Sequence, residues 1–337
     1  MNKKKYVNRN YLTTTRIIAL GFLITVIVGT ILLSLPIASA NGTWTDLLTA
    51  AFTSTTSVCV TGLVVVDTFS YWSLFGKGVI LILIQIGGLG IVSIITLFML
   101  LLRMKITLKS TMLLQDAFNL NSKQGLLKFT IKVIKGTFLI EGIGALIYSF
   151  YYCREYGFLK GIWFSVFHAV SAFCNAGIDI MGADSLISYH SNLLMMLNTS
   201  FLIIMGGIGF IVWWDTVEAF RRIRTKRCSI RSAWNGVHLQ TKIAIFMTLL
   251  LLIGGTIVIY FLERSNPDTL GNLSEKDRIL NAFFQSVTFR TAGFAAVSQV
   301  ALRPVTAFFG VLLMMIGGSP VGTAGGMKTV TIAVIFY

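Results

Sequence analysis

The sequence predicts an all-α integral membrane protein built from three copies of one unit: a crossing helix, a short re-entrant segment ending in a glycine loop, and a second crossing. The first observation behind this is apolarity: of 337 residues, 55% are hydrophobic and 12% charged. Asp, Glu, Lys and Arg are absent from 17–45, 78–102, 185–214, 243–262 and 304–327, and a helix needs roughly 20 apolar residues to cross a bilayer. The second is a repeated pattern. Phe52–Leu63 (FTSTTSVCVTGL), Phe167–Ile178 (FHAVSAFCNAGI) and Phe283–Phe294 (FFQSVTFRTAGF) each set a phenylalanine ten residues before a glycine, with an apolar residue after it. The third is spacing: Gly62, Gly177 and Gly293 lie 115 and 116 residues apart, far beyond a solenoid period. A large unit repeated around a short loop is how internal duplication builds a pore.

The elements follow in chain order. Residues 1–16 are a basic tail. Ile17–Leu35 crosses outward, and its apolar run to Pro36 exceeds the roughly 7–15-residue core of a cleaved signal. Trp44–Ser57 is too short to span and reads as re-entrant. Cys59-Val60-Thr61-Gly62 returns, and Gly78–Leu102 crosses inward, closing a first unit at 17–102. After a basic linker (103–135), the second unit (136–220) uses Gly136–Tyr152, Gly161–Phe173, Cys174-Asn175-Ala176-Gly177 and Asn192–Asp215. A second basic linker (221–242) precedes the third unit (243–337), with Ile243–Leu262, Arg278–Phe289, Arg290-Thr291-Ala292-Gly293 and a crossing from Ala301 onward. The expectation is about six crossings, the last irregular.

Charge sets the orientation. Of the net +15, the basic residues gather in the tail (Lys3, Lys4, Lys5, Arg9, Arg16) and, seven each, in Arg103–Lys135 and Arg221–Lys242. Most acids lie in the alternate segments: Asp46, Asp67, Glu155, Asp179, Asp184, Glu263, Asp268, Glu275 and Asp277. Basic loops stay in the cytoplasm, so the N-terminus is predicted cytosolic in a multi-pass cell-membrane protein. This topology accounts for the positive charge without nucleic acid. An acidic outer face concentrates cations.

The loops carry the chemistry. Stripping water from a monovalent cation needs several oxygens, which backbone carbonyls supply without a permanent charge. Aiming them inward calls for backbone angles that favour glycine. Glycine pairs recur in the second crossings: Gly87-Gly88, Gly206-Gly207 and Gly317-Gly318 begin 25, 29 and 24 residues past the loop glycines. The first two pairs read as close helix packing. The third lies in Gly317-Gly318-Ser319-Pro320-Val321-Gly322-Thr323-Ala324-Gly325-Gly326, too rich in helix breakers to stay helical. It is predicted to be irregular backbone at membrane depth below the loops, tolerated only when buried in protein or lining a cavity.

SVCVTGL (57–63), AFCNAGI (172–178), FRTAGF (289–294) and IGGSPVGTAGGMKT (316–329) resemble the membrane subunit of the bacterial Ktr/Trk potassium uptake family, related to plant HKT transporters. The match runs over essentially the whole chain, and one crossing before the first loop places it nearer Ktr than Trk. The resemblance implies a pseudo-fourfold pore with one filter glycine per repeat and an intramembrane gate at Gly317, Gly318, Ser319, Gly322, Thr323, Gly325, Gly326 and Lys328. It also implies homodimers on a cytosolic nucleotide-binding ring, with potassium as the transported ion and no cofactor in this chain. In the HKT branch serine at the first filter glycine goes with sodium preference, so Gly62 favours potassium; sodium coupling or permeability is the alternative. The family pattern has four repeats, and three appear here. A fourth glycine is expected about 110 residues past Gly293, and the chain by itself is expected to be a fragment that does not transport selectively.

Other residues are read more plainly. Arg290 is expected to brace its loop from behind, Lys328 to serve in a gate or as an interfacial anchor, and Glu141 to make a polar contact within a crossing. His168, His190 and His238 lack an HExxH frame. Cys59, Cys153, Cys174 and Cys228 lack CxxC spacing. Ser319 has no GxSxG frame, so no enzyme is predicted; a non-transporting scaffold is a further alternative. The basic linkers Arg103–Lys135 and Arg221–Lys242 are expected to dock the cytosolic partner, with anionic lipid headgroups as the alternative explanation of the same charges.

Overall fold

The twelve residues Leu47–Val58 and the twelve of Pro304–Met315 are helices too short to span a bilayer alone, and such half-length elements dominate the architecture. The computed structural model describes residues 14–90, 93–94, 96, 126–182, 184–226 and 229–336. Thirteen of its α-helices are numbered here: α1 (Thr14–Ser34), α2 (Leu47–Val58), α3 (Thr68–Tyr71), α4 (Leu74–Leu89), α5 (Leu126–Tyr156), α6 (Phe158–Cys174), α7 (Leu193–Gly207), α8 (Phe210–Lys226), α9 (Ile230–Asn235), α10 (Leu239–Glu263), α11 (Glu275–Thr288), α12 (Pro304–Met315) and α13 (Thr329–Ile335). Among the described residues no strand forms beyond isolated bridges, Ser39 with Trp72 and Ile316 with Met327.

Among the described residues three helices are long and apolar enough to cross a membrane, Arg16–Ser34, Leu127–Tyr156 and Leu239–Glu263, and a bent pair makes a fourth if counted as one span. Of the about six crossings expected, two differ in form from one unbroken helix. The predicted crossing Asn192–Asp215 is two helices, α7 and α8, bent by 98°. The bend sits at Ile208-Gly209, where Gly209 takes φ +95° and its bare Cα stands against the Pro320 carbonyl. In the crossing from Gly78, α4 ends at Leu89, where Gly90 takes φ +78°, and residues 93, 94 and 96 are helical again; 97–125 lie outside the described residues, as do most of the first basic linker and the basic tail to residue 13. The last ten residues of that linker, 126–135, are the start of α5.

Packing follows from sequence. Leu20, Leu23, Ile24, Ile27, Val28 and Ile31 form the exposed apolar stripe of α1, a face suited to lipid. Its inner side carries Gly29, against which Ser54 of α2 packs, and the Ser54 hydroxyl donates to Val26 O at 2.8 Å. The same device joins α11 to α10, where Gly255 faces Ser286 and the Ser286 hydroxyl donates to Leu252 O at 3.0 Å. Asp46, Asn192 and Ser274 cap α2, α7 and α11 through their side chains, satisfying N–H groups a helix start leaves free. One core cluster gathers α2, α4, α6 and α7; a smaller one joins α10, α11 and α12 through Ile259, Ala282, Phe289 and Leu313.

Candidate functional site

Helices α2, α6 and α11 each run into a glycine loop, so their carbonyl ends, the negative ends of the helix dipoles, lie at the loops. All three loops share one backbone device. Gly62, Gly177 and Gly293 have φ of +80°, +63° and +89°, and the residue two before each is also left-handed: Val60 at +55°, Asn175 at +59°, Thr291 at +66°. Left-handed backbone is uncommon for residues with side chains and an outlier for branched ones. Its recurrence at one position gives the three loops the same left-handed turn.

A hydroxyl closes each turn. Thr61 N–H donates to Thr56 O at 2.9 Å, Ala176 N–H to Ser171 O at 2.8 Å and Ala292 N–H to Thr288 O at 2.9 Å. The same three residues bond across the loop with their side chains. Thr56 Oγ1 accepts from Leu63 N–H at 3.0 Å, while Ser171 and Thr288 donate to Ile178 O and Phe294 O at 2.5 and 2.7 Å. Sequence reasoning missed these residues, although a hydroxyl five or six before each glycine was the available signal.

The loops are brought together. A Cβ on Gly62 would stand 2.7 Å from Ala176 O; one on Gly177 would stand 2.5 Å from both Ala292 O and the Gly293 Cα. The first loop thus meets the second and the second the third, backbone to backbone. The first and third face each other across a cleft of about 440 Å³, lined by Cys59, Val60, Thr61, Gly62, Thr291 and Gly293 among others. Cys174 lies behind the second loop rather than in this cleft, its side chain against Gly88.

Below the loops, 316–328 is irregular, and it is held on three sides. Toward the α7–α8 bend, Ser319 N–H donates to Gly207 O (2.8 Å), Thr323 N–H to Gly206 O (3.0 Å), and Phe210 N–H to Val321 O (3.0 Å). The glycine pair Gly206-Gly207 therefore does more than pack: as the end of α7 it leaves carbonyls free, and the segment uses them. Toward the second loop, Asn175 Nδ2 donates to Thr323 Oγ1 at 2.6 Å and Thr323 Oγ1 donates to Phe173 O at 2.9 Å. Toward the third, Gly325 N–H donates to Thr291 Oγ1 at 2.8 Å. Within the segment, Gly318 N–H donates to Gly325 O at 3.2 Å, and Gly317 and Gly326 sit too close to the opposite backbone for any side chain. Gly322 faces Gly206 O and Gly207 O. Ser319 and Thr329 share a hydroxyl bond of 2.9 Å, and Lys328 Nζ donates to Ala324 O at 2.7 Å, folding back onto the segment.

Arg290 is buried, and one guanidinium nitrogen donates to Gly317 O at 3.3 Å. It faces away from the cleft and ties the third loop to the irregular segment. Glu141, also buried, accepts from Gln85 Nε2 at 3.1 Å, with Cys174 Sγ 4.0 Å away. His168 lies among Tyr148, Tyr152 and Phe294 with Nδ1 2.9 Å from Phe164 O.

Fold and site together define an all-α membrane protein organised around three converging glycine loops, with an irregular backbone segment beneath them. The family model described as TrkH, cation transport protein, matches residues 3–337, and the chain belongs to that family, one of transporters and not of enzymes. It is 40% identical over 327 residues to the potassium/sodium uptake protein NtpJ of Enterococcus hirae, covering 97% of this chain and 69% of that one. It is 38% identical over 336 residues to the Ktr system potassium uptake protein B of Bacillus subtilis, covering 99% of this chain and 72% of that one. The fold matches the crystal structure of the potassium transporter TrkH from Vibrio parahaemolyticus with a TM-score of 0.65 at 16% identity. That match covers 99% of this chain, which spans 63% of the length of the TrkH chain.

Proposed function

We propose that the chain carries potassium ions across the cell membrane through a path bounded by the three glycine loops. The shared left-handed geometry at Val60, Asn175 and Thr291 and at the three glycines carries this reading, because it recurs where the loops meet, with Ala176 O beside Gly62 and Ala292 O beside Gly177, and backbone carbonyls are what a cation filter uses. The filter is Cys59–Gly62, Cys174–Gly177 and Arg290–Gly293. The segment from Gly317 to Lys328 obstructs the path below it and yields when a cytosolic partner changes state. Names of similar proteins support potassium; the potassium/sodium uptake protein supports sodium as a second permeant ion. In this reading the N-terminus is cytosolic, two copies assemble on a nucleotide-binding ring, and that ring docks on the basic linkers. Rubidium and sodium tracer uptake by proteoliposomes holding the chain within a four-repeat transporter tests it, since the chain by itself is expected not to transport selectively. Saturable rubidium flux lost on replacing Gly62, Gly177 or Gly293 with valine is expected. Absence of cation flux, or flux and selectivity unchanged in all three variants, would overturn it.

A further inference from the structure

The contacts between the irregular segment and the loops fall on particular residues. Of the three left-handed non-glycine positions in the glycine loops, Asn175 and Thr291 are each hydrogen-bonded to the segment, through Thr323 and Gly325. Val60 is set differently, its Cγ2 lying against Gly87. Thr323 is bonded twice to the second loop and the helix end before it: its hydroxyl gives its single proton to Phe173 O and accepts from Asn175 Nδ2. Its own backbone is anchored elsewhere, N–H to Gly206 O. Thr291 is a β-branched residue in left-handed backbone, a conformation that persists only when surroundings impose it, and Gly325 N–H is part of those surroundings.

We propose that the irregular segment holds the second and third glycine loops in their left-handed form, with Thr323 as the positioning residue of the second, so that ion discrimination depends on a segment that also obstructs passage. This rests on the transport reading above. An obstruction alone requires no contact with Asn175 or Thr291; these bonds reach the two residues whose backbone sets the carbonyl directions. When the segment withdraws, both loops lose their tethers together while the first keeps its packing. Discrimination among cations then differs between the obstructed and open states, in the second and third loops first.

The test compares Thr323→Val, Thr323→Ala and Thr323→Ser, reading the rubidium-to-sodium uptake ratio and backbone hydrogen exchange of 171–178. Valine and alanine remove the hydroxyl and serine keeps it. The ratio is expected to fall about tenfold in the first two, the scale of one lost hydrogen bond on a strained loop, with faster exchange in 171–178 and near wild-type behaviour for serine. Alanine serves where valine prevents insertion. Wild-type ratio and exchange in the valine and alanine variants, even with faster flux, would reduce the segment to a plug. A serine variant as impaired as valine would also overturn the proposal. A wild-type protein without cation flux would sink the transport reading instead, and exchange in 171–178 would still decide whether Thr323 holds the loop.

Discussion

Gly177→Ala adds one methyl group where the second and third loops meet. The backbone there is left-handed, φ +63°, which costs a side-chain residue roughly 1–2 kcal/mol. The new Cβ would lie 2.5 Å from Ala292 O and from the Gly293 Cα and 2.8 Å from the Gly293 carbonyl carbon. These are backbone atoms with no rotamer to escape into, and overpacking of this kind adds about 1–3 kcal/mol. Together the penalties come to about 2–5 kcal/mol against the native loop arrangement, or roughly 30- to 4,000-fold in its population at ~1.4 kcal/mol per tenfold. The helix glycine Gly142 has nothing within 4 Å of its ideal Cβ, so Gly142→Ala is a methyl control expected to be neutral or mildly stabilising. The assay is rubidium uptake against concentration in cells lacking their own potassium uptake, normalised to membrane-inserted protein. Uptake is expected to collapse in Gly177→Ala and persist in Gly142→Ala. Wild-type KM and maximal rate in Gly177→Ala would refute the claim that the loops meet at this glycine.

Three further expectations follow from separate parts of the molecule. Deleting 320–324 removes Thr323 and its tethers and should raise cation flux severalfold with weaker control by a cytosolic partner; deletion variants that insert and conduct no more than wild type would limit the segment to a structural role. Gln85→Ala and Glu141→Ala should each lower the thermal midpoint, and the double variant should lose less than their sum by ~0.5–3 kcal/mol in a mutant cycle, since the two side chains share one buried bond; strict additivity would show the contact to be idle. Asp67 lies outside the crossings, where burial would raise its carboxyl; the Ser70 hydroxyl, the Phe69 and Ser70 N–H groups and the Lys77 charge outweigh this and hold it below its ordinary 3.8. Its stabilisation is therefore present above that value and lost as pH falls through the lower folded one; melts across the acid limb should steepen in wild type and flatten in Asp67→Asn, and parallel curves would contradict the assignment.

The loop glycines were legible because they recur with apolar partners in a fixed frame, and a charge-free run announces a membrane helix whatever its neighbours do. The hydroxyls of Thr56, Ser171 and Thr288 were harder: hydroxyl residues are common in apolar helices, and only the folded loop shows which carbonyl or N–H each one reaches. The bend after α7 was missed because hydropathy continues unbroken from Asn192 to Trp214, while the break depends on the conformation of one residue, Gly209. The third glycine of Gly206-Gly207-Ile208-Gly209 and of Gly87-Gly88-Leu89-Gly90 was a signal, since a left-handed glycine closes a helix. Thr323 was readable only as a member of a glycine-rich run; its pairing with Asn175 spans 148 residues, and no local pattern encodes it.

The bend between α7 and α8 gives the molecule a crank. The arm, Phe210–Lys226, has 17 residues and at 1.5 Å per residue is about 25 Å long, with Arg221, Arg222, Arg224 and Lys226 toward its far end. Its fulcrum is Gly209, and the first residue past it, Phe210, is bonded to Val321. A sideways push of ~5 Å at the far end turns the arm by ~0.2 radian and shifts atoms about 3 Å from the fulcrum by ~0.6 Å, enough to carry an N–H···O contact of ordinary length past its bonding range. A rigid arm turning about that point would gear travel down and force up, against the ties of Asp215 to Thr241 and Arg222 to Gly236 along its length.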